Sequence, residues 1–163
     1  MDEARLGEIS VELKKEALGR GLNITAPTCG TSMVPIIRPR NKVVVTGCTT
    51  DKLKCGDIIV FQPAIGKNIV AGHRLIFKKR SAGRVIFYAK GDSQKRYDLP
   101  IQEEQVLGKV IKIKKKHFSI LPDSFGGRLL NLIFLALSVS LVLPLALRFF
   151  GRFKAVLRKV QSF

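Results

Sequence analysis

The chain has 163 residues, enough for one domain or a small domain with an appendage. It carries 29 Lys+Arg against 12 Asp+Glu, a net charge of +17, yet 46% of it is hydrophobic and its mean hydropathy is +0.15. That apolar content argues against a wholly disordered chain, and three cysteines (Cys29, Cys48, Cys55) argue against a disulfide scaffold or a metal site.

Residues 1–21 are expected to form an amphipathic helix. Leu6, Ile9, Leu13 and Ala17 recur at helical spacing, and Gly19 and Gly21 end the pattern. The stretch is charged throughout and has no apolar core of a signal sequence. Residues 22–120 read as β. Short branched runs at 42–45, 57–61, 68–77, 84–90 and 106–114 are separated by turn residues, which predicts a compact antiparallel sheet or barrel. LPDSFGG at 121–127 reads as a hinge.

Residues 128–163 form the last unit, a transmembrane or membrane-interface helix with a basic tail. Leu129–Leu147 is a run of 19 residues without a charge, roughly 28 Å long as a helix, close to a bilayer's hydrocarbon thickness. Arg128, Lys112, Lys114, Lys115 and Lys116 precede it; Arg148, Arg152, Lys154, Arg158 and Lys159 follow. The basic flanks balance, so the side of the membrane stays open. Anionic lipid is the expected partner of this charge. Aromatic interleaving is thin, with no Trp and two Tyr, so nucleic acid is not expected. Cutting the chain before Arg128 is expected to release a soluble, active β domain.

Three clusters carry chemistry. In CGTSMVPII (29–37), Gly30 and Pro35 bracket a tight turn that can expose Ser32 Oγ and aim backbone N–H groups at one point, as a nucleophile beside an oxyanion hole requires. In GHRLIF (72–77), His73 interrupts an apolar run. It is either a core residue or a general base, since imidazole's unperturbed pKa is about 6.5. In YAKGDSQKRYDLPI (88–101), Lys90-Gly91-Asp92 reads as a turn leaving a strand, and Asp92 or Asp98 can hold a histidine in one tautomer.

Taken in order, Gly-x-Ser-Met-x-Pro (30–35), Gly-Asp-Ile-Ile-Val-Phe (56–61), His-Arg-Leu-Ile (73–76), Lys-Gly-Asp (90–92) with Asp98, and Val-Leu-Gly-Lys-Val (106–110) resemble the type I signal peptidases. The nearest branch is the Ser–His branch of the endoplasmic reticulum and archaea. The resemblance spans about half the chain. It implies a mainly β, antiparallel fold of the kind shared with LexA-like repressors. It also implies a membrane-associated serine endopeptidase that cleaves signal or leader peptides after small side chains, without metal or cofactor. Ser32 would be the nucleophile, His73 the base, Asp98 the third catalytic residue and Asp92 a further acidic position. Gly30, Thr31 and Met33 would lie beside the oxyanion hole. Three features depart from the family. Gly30-Thr31 replaces Ser-Gly, Arg40-Asn41 replaces Gly-Asp, and the membrane segment is C-terminal rather than N-terminal.

Other readings compete. A leader peptidase facing the cytoplasm needs the same site. A LexA-like self-cleaving regulator would use a lysine base, and Lys67, Lys78 and Lys79 are near. A non-enzymatic basic membrane-binding protein would leave Ser32 and His73 apart.

Overall fold

Branched residues assemble the predicted strands into one antiparallel sheet. The structure is a computed structural model and describes residues 12–65, 69–81 and 83–140. Its strands are β1 (Asn23–Pro27), β2 (Lys42–Thr46), β3 (Ile58–Phe61), β4 (Ala71–Ser81), β5 (Arg84–Lys90), β6 (Ile101–Gln102), β7 (Val106–Lys114) and β8 (Ser119–Ile120). The order is β1-β2-β7-β3-β4-β5-β6, with β8 added to β7. The five runs read from sequence are β2, β3, β4, β5 and β7. β4 begins at Ala71, after Ile69 and Val70 outside any strand, and continues past Phe77 to Ser81; Asn68, where the sequence run starts, lies outside the described residues. β1, β6 and β8 are short and carry weak local patterns; they exist through pairing with β2, β5 and β7.

The sheet has apolar packing on both faces. β3 lies between β7 and β4, and all four of its residues are buried. Ile58 and Val60 join Val43, Val45 and Ile113 in one cluster; Ile59 and Phe61 join Leu75 and Phe87 in the other.

Residues 12–19 form helix α1. The Leu22 N–H donates to the Ala17 carbonyl and the Gly21 N–H to the Leu18 carbonyl, both at 3.0 Å, and Gly21 has φ 77°. This is a Schellman termination, for which glycine is suited. The expected apolar seam differs in detail. Leu13 is exposed, and Leu18 is the residue that enters the core. Only the last turn of α1 reaches the sheet, where the Leu18 backbone rests on Gly47. Leu6 and Ile9 lie outside the described residues.

The C-terminal helix α2 (Phe125–Val139) starts inside the expected hinge. The Ser124 side chain accepts the Gly127 N–H at 3.1 Å, an N-cap. Lys109 Nζ holds both Asp123 carboxylate oxygens at 2.8 and 2.9 Å, and Pro122 and Gly127 are buried. This segment is therefore fastened to β7. Among the described residues no helix is long and apolar enough to cross a membrane. Residues 141–147 of the apolar run lie outside the described residues.

α2 has two apolar faces. Leu130 and Phe134 pack on the first core cluster, with Asn131 and Ser138 buried on the same side. Phe125, Leu129, Leu132 and Ile133 are exposed. Beneath α2 lies a buried polar network. Arg74 Nε and Nη2 donate to the two oxygens of Asp92 at 2.7 and 2.8 Å, and both side chains are fully buried. Arg74 Nη1 donates to the Gly56 carbonyl and to Asn131 Oδ1, each at 2.8 Å. Ser138 Oγ donates to Asp92 at 3.1 Å, and Lys90 Nζ donates to the Ser138 carbonyl. Burial pulls the Lys90 pKa below the ordinary lysine value, and the Asp92 carboxylate acts against that shift. Protein oxygens thus stand in for water around the two cations, and the Arg74 N–H groups and the Ser138 hydroxyl do so around the Asp92 carboxylate.

Candidate active site

Ser32 lies on a turn rooted in the core. The Val34 N–H donates to the Thr31 carbonyl at 3.2 Å, and the Ile37 N–H to the Met33 carbonyl at 2.9 Å. Met33, Ile36 and Ile37 are buried in the first cluster and anchor the turn. The Met33 side chain is therefore a core anchor, 4% exposed. Gly30 and Thr31 are exposed beside Ser32. The loop closes where Thr28 Oγ1 donates to the Arg38 and Asn41 carbonyls at 2.8 and 3.0 Å. Arg40 has φ 69°, in the left-handed region where glycine is unstrained. This explains why a glycine there is the easier choice and what the Arg40-Asn41 departure costs in backbone comfort. Asn41 Oδ1 accepts the Arg38 N–H at 3.0 Å, a bond an aspartate could also accept.

His73 is on β4. Its neighbour Arg74 enters the opposite face, as strand alternation requires. His73 pairs with Ile59 of β3, and the Phe61 ring meets the imidazole edge-on at 6.0 Å between centroids. Nε2 is 2.9 Å from Ser32 Oγ, and Nδ1 is 2.7 Å from Asp98 Oδ2. An ionised carboxylate only accepts, so it keeps the proton on Nδ1 and leaves Nε2 of the neutral ring to accept from Ser32. The His73 and Asp98 side chains are 11% and 20% exposed, sheltered yet open to a substrate. The Asp98 N–H donates to the Ala89 carbonyl at 2.9 Å, which ties the acid's loop to β5.

Of the expected site residues, Ser32, His73 and Asp98 converge. Asp92 does not reach the imidazole. It faces the other side of the sheet, where Arg74 and Ser138 occupy its oxygens. Residue chemistry alone leaves the two acids open, and the resemblance puts Asp98 in the third catalytic position and Asp92 at a further acidic one; the turn after β5 sets the face each takes, and it places Asp98 at the imidazole. Lys78 Nζ donates to the Asp51 and Leu53 carbonyls at 3.2 and 3.1 Å, and Lys79 is exposed; Lys67 lies outside the described residues.

Two positioning residues carried no role in the sequence reading. The Ser93 N–H and Oγ each donate to the Ser32 carbonyl at 2.9 Å, and Oγ also reaches the Thr31 carbonyl at 2.9 Å. Gly91 lies against the same peptide. A Cβ there would stand 2.8 Å from the Ser32 carbonyl oxygen and 2.9 Å from Ser32 Cβ. The Gly91–Ser93 turn therefore clamps the serine from behind. Gly91→Ala should push Ser32 away from His73 and break their 2.9 Å contact. A crystal structure of the variant checks this, and an unmoved Ser32 would contradict the clamp.

No protein-family model matches the chain, and no curated protein matches it.

Proposed function

We propose that the chain is a membrane-associated serine endopeptidase of signal-peptidase type, cleaving signal or leader peptides from precursors. The observation that carries this reading is the continuous Ser32–His73–Asp98 hydrogen-bonded chain. His73 Nε2 takes the Ser32 proton as Oγ attacks the scissile carbonyl, and Asp98 stabilises the resulting imidazolium. The imidazolium then gives that proton to the departing amine, leaving an acyl ester on Ser32. Water, deprotonated by the same imidazole, releases the acyl group and restores the serine.

The sheet supports an extended substrate. β4 pairs with β3 along Ala71–Arg74, but with β5 only from Arg74 onward. Among the described residues no strand pairs with the β5-side edge of β4 beside His73, which supports a peptide held there by main-chain hydrogen bonds. The 2.9 Å Ser32–His73 distance favours this reading over a purely binding role. The engagement of Lys78 with two carbonyls favours a histidine base over the lysine of a LexA-like regulator.

The oxyanion would be held by backbone and by Thr31. Neither the Ser32 N–H nor the Thr31 hydroxyl is spent on an internal hydrogen bond among the described residues. A side chain at position 30 would start 3.9 Å from Ser32 Oγ, in ordinary van der Waals contact and without a clash. Gly30→Ser should therefore add a donor and raise kcat, by up to about a hundredfold if the hydroxyl meets the oxyanion. Unchanged kcat would mean that the hole is already complete.

The exposed apolar face of α2, with Phe125, Leu129, Leu132 and Ile133, supports contact with lipid, and the basic flanks support anionic headgroups. Membranes from cells expressing the chain, washed in high salt, should still cleave a precursor after small residues. Membranes bearing Ser32→Ala should not. Salt screens charge docking but not apolar contact. Activity that washes off would remove the anchor, and cleavage by Ser32→Ala would remove the peptidase.

A further inference from the structure

We propose that Asn131 and Ser138 are positioning residues, through which α2 holds the two halves of the Ser32–His73 pair in register. This rests on the serine-hydrolase reading of the site.

Two routes connect α2 to the pair. Asn131 Oδ1 accepts from Arg74, the residue directly after His73 on β4. Arg74 also grips Asp92 through two nitrogens and the Gly56 carbonyl through a third contact. With its guanidinium held on one face of the sheet, the strand cannot rotate or slide at His73 on the other face without breaking these bonds. The second route runs through Ser138, which donates to Asp92 at 3.1 Å. Asp92 directly precedes Ser93, whose N–H and Oγ hold the Ser32 carbonyl. One route ends at the base and the other at the nucleophile, and the Arg74–Asp92 pair joins them.

Sequence spacing agrees. Asn131 and Ser138 are seven residues apart, two helical turns, so they share one face of α2. Asn131 is 7% exposed and Ser138 fully buried. In an apolar run these side chains cost burial energy unless partners are fixed opposite them. The partners of Asn131 Oδ1 and Ser138 Oγ are the residues that brace the catalytic strand and turn, while Asn131 Nδ2 donates to the Pro122 carbonyl at 3.5 Å.

The test is the rate at which a fluorophosphonate labels Ser32 in the full-length protein in detergent, well below its melting temperature. Wild type should label and Ser32→Ala should not. Asn131→Ala should slow labelling by about tenfold or more, because small displacements at a reacting pair are costly. Asn131→Asp keeps an acceptor for Arg74 and should recover most of the rate. Labelling of Asn131→Ala at the wild-type rate would overturn the proposal. So would equal losses in Asn131→Ala and Asn131→Asp, which would trace the effect to packing rather than to the acceptor. If circular dichroism shows Asn131→Ala unfolded, Ser138→Ala is read instead. It should slow labelling several-fold, and a wild-type rate would overturn the proposal. Wild type that resists the reagent, or Ser32→Ala that still takes it up, would overturn the hydrolase reading and this inference with it.

Discussion

His73→Ala should lower the turnover of a precursor peptide by at least about a thousandfold while the protein stays folded. The ring is the only acceptor at Ser32 Oγ within hydrogen-bond distance, at 2.9 Å among the described residues. Its removal leaves a neutral hydroxyl, a poor nucleophile. Stability should change little, because the His73–Asp98 pair is partly open to solvent and its loss strands no fully buried charge. Asp98→Asn should cost about a hundred- to ten-thousandfold. An amide can donate to Nδ1 and so favour the tautomer whose proton sits on Nε2, pointing at the serine. The kcat of both variants checks this. Wild-type turnover in either would assign the base elsewhere.

The strands were legible because branched runs between turn residues are a local signal, and β2, β3, β5 and β7 fall on the runs read from sequence. Ser32, His73 and Asp98 were legible together, as motifs in a familiar order. Motif order also set Asp92 apart from Asp98, but not its partner. Two acids six residues apart are alike in local chemistry, and the turn after Lys90 takes one to Arg74 and the other to His73. Arg74 itself was quoted only as part of a motif, although alternation along β4 already puts it opposite the histidine. The apolar run from Leu129 posed a different problem. Asn131 and Ser138 weigh against insertion into lipid, and their shared face is a sign of a polar partner inside the protein. Hydrophobicity averaged over a window does not distinguish a helix against lipid from one laid on a sheet; the placement of the few polar residues does.

Removal of residues 128–163 should therefore destroy the β domain rather than release it, contrary to the expectation of a detachable anchor. Arg74 would lose Asn131 Oδ1, Asp92 would lose the Ser138 hydroxyl, and Lys90 would lose its carbonyl acceptor. Arg74, Asp92 and Lys90 are each no more than 1% exposed. Leaving such groups short of partners costs about 1–3 kcal/mol apiece, and the core beneath Leu130 and Phe134 would meet water. Water entering the vacated site would return part of this, so a net loss of several kcal/mol is expected against a typical total of about 5–15 kcal/mol. In a domain of this size that corresponds to a fall in Tm of roughly 20 °C. The same loss loosens β4 at His73 and the turn behind Ser32, so activity should vanish below the new transition as well as above it. Differential scanning calorimetry and peptide cleavage on the truncated chain measure both effects. A truncated protein that melts within a few degrees of the full chain and cleaves a short peptide at an undiminished rate would make α2 a mere anchor. The buried network would then be a feature of packing, with no part in holding the catalytic pair.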